Sequence, residues 1–86
     1  MEKHKLLTQD CLKEGEYYQQ YDEDGQIYCI VIKAGKPIIR IAYWESHPSI
    51  TAESYPENYL YAKISEHSFN RIKRMVIKKL GITLNS

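Results

Sequence analysis

The sequence predicts an α+β domain in which a three- to four-stranded antiparallel sheet is flanked by an N-terminal and a C-terminal helix. Residues 27–33 alternate as a strand with apolar side chains on both sides, as in the centre of a sheet. Residues 66–80 repeat apolar side chains at intervals of three and four, as in an amphipathic helix. With 86 residues the chain has room for one hydrophobic core, so we expect a single domain over residues 1–86.

The first predicted element is a short helix over residues 2–13. Its apolar side would carry Leu6, Leu7 and Cys11, and Gly15 would end it. The expected order of elements is therefore α-β-β-β-(β)-α.

Three strands are predicted in the first half of the chain. Residues 16–21 have the aromatic content of a strand, and residues 22–25 supply Asp and Gly for a turn into the strand at 27–33. A reversal at Ala34 and Gly35 then leads to a strand at 38–44.

The segment 46–58 has the prolines and polar residues of a long loop. After it, residues 59–65 return to the alternation of a half-buried strand. We expect Tyr59, Tyr61 and Lys63 on the outer face of that strand.

The final helix has recognisable ends. Ser65 is a typical N-cap, and Glu66 favours the first turn through the helix dipole. Lys78 and Lys79 are favourable in the last turn, and Gly81 is the expected residue after the helix.

Charge is distributed unevenly along the chain. Residues 1–57 carry six Lys or Arg and ten Asp or Glu, a net charge of −4, whereas residues 58–86 carry six and one, a net charge of +5. The total of +1 therefore conceals a polarised molecule that suits an oppositely charged surface or a second copy of itself.

The cysteine content favours a reducing compartment. The two cysteines, Cys11 and Cys29, can form at most one disulfide within the chain, whereas small secreted domains usually need several. Charged residues interrupt the first 25 positions, and no stretch approaches the roughly 20 apolar residues of a membrane-spanning helix. We expect a cytoplasmic protein without a membrane partner.

No pattern in the sequence indicates catalysis or a bound metal. The histidines and cysteines form no CxxC, HxxxH or HExxH motif, and the acidic turn after residue 21 lacks the spacing of a calcium loop. No glycine-rich phosphate loop is present. We therefore predict a non-enzymatic chain without metal or cofactor.

The aromatic residues favour a protein partner. Eight tyrosines and one tryptophan, against one phenylalanine, form an amphipathic set of the kind that is enriched in interfaces. Our leading hypothesis is an accessory or regulatory protein that binds another protein, or itself, through Trp44, Tyr59 and Tyr61.

The basic helix supports an alternative, nucleic-acid binding. Arg71, Arg74 and Lys78 recur at i, i+3 and i+7, so they share one stripe that can follow a phosphate backbone. Aromatic side chains near it could stack on unpaired bases. A solvated outer face of an amphipathic helix explains the same pattern. The complete basic set of this alternative is Lys63, Arg71, Lys73, Arg74, Lys78 and Lys79.

Overall fold

In a computed structural model, which describes residues 6–81, five antiparallel strands form one sheet with a helix on one face. The order of the strands across the sheet is β4-β3-β2-β1-β5. This confirms the α+β class and the antiparallel sheet. In chain order the elements are a 3-10 turn (Gln9–Cys11), β1 (Tyr17–Tyr21), β2 (Ile27–Lys33), β3 (Ile38–Ala42), β4 (Ser49–Glu53), β5 (Leu60–Ile64) and α1 (Glu66–Leu80).

The predicted number of strands is wrong, because the segment 46–58 contains β4. The β-branched pair Ile50 and Thr51 lies in register with β3, and all five residues of β4 pair with it. Thr51 and Glu53, two of the polar residues that favoured a loop, are instead exposed side chains of an edge strand.

The N-terminal helix predicted over residues 2–13 is also wrong for the described part of that range. Residues 6–13 contain only the 3-10 turn, and residues 2–5 lie outside the described residues. The backbone of Leu7 exchanges two hydrogen bonds with Tyr61 of β5, at 2.7 and 2.8 Å, which hold this segment extended. Pairing with the sheet thus outweighs a weak local helix preference.

The predicted C-terminal helix is confirmed, including both ends. Ser65 Oγ accepts a hydrogen bond from the Ser68 backbone N–H at 3.0 Å. Gly81 adopts a left-handed conformation with φ of 71°, and its N–H bonds to carbonyls of the last turn. An N-cap side chain such as that of Ser65 contributes about 1 kcal/mol to the stability of a helix.

Both faces of the sheet are buried, by different parts of the chain. Val31 of β2 faces α1, whereas Ile30 and Ile32 of the same strand face the other way, and all three are fully buried. We call the two sides the helix face and the second face. The core residues on the helix face are Val31, Ile41, Phe69 and Val76. Those on the second face are Tyr18, Ile30, Ile32, Ala34, Ile38, Ala42 and Tyr61.

A crossover segment, residues 54–59, covers much of the second face. It connects β4 to β5, which lie at opposite edges of the sheet, so it must pass across the strands between them. Tyr55 and Tyr59 of this segment pack against the buried residues of that face, as do Leu7 and Leu12 from the N-terminal segment. The Tyr55 hydroxyl also accepts a hydrogen bond from the backbone of Gly35 at 3.3 Å.

A buried glutamine stabilises an irregular point in the sheet. Gln19 pairs with Val31 but Tyr21 pairs with Ile27, so three residues of β2 lie opposite a single residue of β1. The Gln19 side-chain amide donates to three backbone carbonyls at this bulge, those of Gln20, Tyr28 and Ile30. Its Oε1 accepts a hydrogen bond from the Tyr43 hydroxyl at 2.9 Å. Burial raises the pKa of that phenol, which keeps its proton in place.

Replacing Gln19 by Met should lower the free energy of unfolding by about 3 kcal/mol, because buried carbonyls and the Tyr43 hydroxyl lose their partners. Chemical denaturation followed by circular dichroism measures this change. The same substitution at exposed Gln26 is the matched control and should change stability by less than about 0.5 kcal/mol. Equal effects at the two positions would contradict the assigned role of Gln19.

Candidate binding surfaces

Three aromatic rings, of which the Tyr28 ring contacts the other two, form the first candidate surface. Tyr28 lies on β2, Trp44 follows the end of β3, and Tyr59 ends the crossover segment. The Tyr28 ring meets the Trp44 ring edge-on, with centroids 5.0 Å apart, and lies 5.4 Å from the Tyr59 ring. All three residues are half-buried against the second face. We call Tyr28, Trp44 and Tyr59 the aromatic surface.

Polar groups border the aromatic surface. The neighbouring Tyr28 side chain raises the pKa of Tyr59, as does partial burial, while the nearby Arg40 acts to lower it. Arg40 Nη1 lies 3.6 Å from Glu53 Oε2, in an ion pair whose Glu53 side chain is exposed and whose Arg40 side chain is half-buried. Rings with hydroxyl and guanidinium groups beside them can give a partner both apolar contact and hydrogen bonds.

Tyr61 does not belong to this surface, and the prediction that it is exposed is wrong. Its side chain is fully buried in the core of the second face. The alternation of β5 places it on the side that the crossover and N-terminal segments cover. Burial, with smaller effects from Tyr55 and Tyr59, raises the pKa of Tyr61 to about 12. Its hydroxyl is buried and has no hydrogen-bond partner among residues 6–81.

Tyr28 is the aromatic residue that the sequence interpretation missed. Simple alternation along 27–33 puts it on one apolar face with Ile30 and Ile32, which predicts an interior position. Tyr28 does pack on that face, but it is half-buried and its ring contacts Tyr59 at the end of the crossover segment. No local sequence signal indicates that contact.

The basic stripe of α1 is the second candidate surface. Arg71, Arg74 and Lys78 are all exposed, as the spacing predicted. Among residues 6–81, no carboxylate lies within 4.0 Å of any of these three cations. We call Arg71, Arg74 and Lys78 the basic stripe.

The other predicted basic residues are less available. Lys63 Nζ lies 2.9 Å from Glu16 Oε1, and this hydrogen bond raises the pKa of Lys63. Lys79 Nζ lies 3.4 Å from Glu45 Oε2. Lys73 is half-buried beside the apolar side of the helix.

The two surfaces lie on opposite faces of the sheet. The aromatic surface packs on the second face, whereas α1 covers the helix face. Trp44 and Tyr59 therefore cannot stack on the bases of a nucleic-acid strand that is bound along the basic stripe. Each surface has to be judged as a separate site.

Groups capable of catalysis do not converge in the described part of the chain. Ser46 Oγ lies 2.8 Å from His47 Nδ1 in the exposed β3–β4 turn. No third group orients that imidazole among the hydrogen bonds of residues 6–81, as a nucleophile and base pair requires. Within the same residues, no three His, Cys, Asp or Glu side chains are placed to hold a metal ion.

Comparisons with known proteins add no assignment. No family model, no curated protein and no solved structure matches this chain. Within residues 6–81, no helix has the length and apolar character needed to cross a bilayer.

Proposed function

We propose that this chain is a small non-enzymatic accessory or regulatory protein of the cytoplasm that acts by binding another protein through its aromatic surface. The observation that carries the proposal is the contact among Tyr28, Trp44 and Tyr59 at a half-exposed position on the second face. The cytoplasmic part of the proposal rests on Cys11 and Cys29, both of which are free thiols.

The chemistry of the surface favours a protein as its partner. Tryptophan and tyrosine are the side chains that most often dominate binding energy in interfaces, because they offer a large rigid area at a small entropic cost. Neighbouring rings already restrain one another here, so less side-chain freedom is lost on binding. The Arg40 and Glu53 pair at the border supplies charges suited to a polar rim.

Photo-crosslinking tests this proposal directly. A benzoylphenylalanine at position 44 or position 59, in cells that make the chain, should form an adduct with the same protein. The reagent at position 71 on the opposite face should not form that adduct. Adducts from position 71 alone would contradict the proposal.

For the partner so identified, Trp44→Ala should weaken binding by about 30-fold, which corresponds to about 2 kcal/mol for a residue at the centre of an interface. Met75→Ala, on the exposed side of α1, is the matched control and should leave the affinity unchanged. Isothermal titration calorimetry measures both. A larger loss from Met75→Ala would move the binding site to the helix face.

Nucleic-acid binding is the second candidate function. It is favoured because the basic stripe is exposed and forms no ion pair with a carboxylate of residues 6–81. Fluorescence anisotropy with labelled DNA and RNA should then show binding that weakens steeply between about 50 and 200 mM salt. Replacing Arg71, Arg74 and Lys78 together by Ala should abolish it. Replacing the exposed Lys13, Lys33 and Lys36 removes the same charge as a control. No binding at the lower salt concentration would exclude this candidate.

A further inference from the structure

The two edges of the sheet differ in how their backbone groups are used. At the β5 edge, Leu7 exchanges two hydrogen bonds with Tyr61. At the β4 edge, the backbone groups that point away from β3 have no strand beside them among the described residues. An exposed edge of this kind is a template for another extended chain.

β4 also lacks the usual features that prevent edge pairing. Its five residues pair with β3 in unbroken register, so no bulge twists the edge away. Proline occurs before and after the strand, at Pro48 and Pro56, but not within it, and no lysine projects from it. Glu53, its last residue, is the only charged one. Edge strands are ordinarily protected by such bulges, prolines or lysines.

We propose that a second copy of this chain pairs with β4, antiparallel, about a two-fold axis at Thr51. Residues directly opposite each other in a sheet have their side chains on the same face, and along one strand the residues of a face differ in number by two, four and so on. When a strand pairs with its own copy, the numbers of each opposite pair must therefore have an even sum. Centring the axis on Thr51 satisfies this rule and is the register that pairs all five residues of both copies.

The side chains of β4 are compatible with this register. Thr51 lies opposite Thr51 of the other copy, a favourable cross-strand pair, and Ile50 lies opposite Ala52. Glu53 lies opposite Ser49, so no like charges meet. Ile50 is half-buried beside Val31 and Ile41, and the second copy would cover it further. This self-complementarity favours a second copy over an unrelated strand.

Pairing would give the dimer two distinct sides. Because the axis stands perpendicular to the sheet, both aromatic surfaces would lie on one side of a ten-stranded sheet and both α1 helices on the other. A partner with two binding sites could then engage both aromatic surfaces at once. The pairing itself does not depend on the function proposed for those surfaces.

The mass of the protein in solution tests the pairing. Sedimentation equilibrium up to about 1 mM, the weak end of ordinary dissociation constants, should show a shift from 10.1 kDa to twice that mass. Thr51→Lys places two like charges opposite each other and should weaken dimerisation by about tenfold or more. Thr8→Lys, the same substitution at an exposed residue near the opposite edge, should leave it unchanged. A monomer at every concentration would overturn the proposal.

Cysteine crosslinking tests the register without weakening the dimer. Thr51→Cys should form an intermolecular disulfide on mild oxidation, because residues at the axis face themselves at a suitable distance. Ala52→Cys, which would face Ile50 of the other copy, should crosslink much less. The unsubstituted chain controls for Cys11 and Cys29. Equal crosslinking at positions 51 and 52 would contradict the proposed axis. In the sedimentation experiment, a Thr51→Lys chain that still dimerises would show that the dimer contact lies outside β4.

Discussion

The architecture depends on covering a central strand that is apolar on both sides. Val31 and the pair Ile30 and Ile32 point to opposite faces of β2, and each is fully buried. One helix can cover only one face of a sheet, so the chain has to supply a second cover. It uses the crossover segment and the extended residues before β1, whose tyrosine and leucine side chains pack on the second face. The path from one edge of the sheet to the other follows from this requirement.

The second cover also determines which aromatic side chains are exposed to solvent. Tyr61 lies under it and is fully buried, whereas Trp44, Tyr28 and Tyr59 lie at its margin and stay half-exposed. Because this cover is on the opposite side from α1, the molecule presents an aromatic surface and a basic stripe that cannot act on one ligand together. Because the chain leaves β4 across the face, β4 remains at one edge of the sheet formed by the described residues.

Local periodicity predicted the elements whose burial follows a simple repeat. The alternation of 27–33 and the three- and four-residue spacing in α1 are both visible in the sequence, as are the caps at Ser65 and Gly81. β4 was not predictable in this way, because its polar residues resemble a loop until β3 pairs with them. The exposed basic stripe was predictable from helix geometry. The burial of Tyr61 depends on a long-range feature, the crossover segment that packs on the same face, and so does the contact of Tyr28 with Tyr59.

Nitration of tyrosines in the native protein tests the second cover most directly. Tyr59 and Tyr61 are two residues apart and lie in the same tryptic peptide, so tandem mass spectra of that peptide can compare the extent of nitration of the two rings. The cover predicts that tetranitromethane modifies Tyr59 while Tyr61 reacts only after denaturation. Denatured protein supplies the reference rate for each ring. Native Tyr61 reacting as fast as Tyr59 would show that the second face is open, and would contradict both the covered core and the assignment of the aromatic surface.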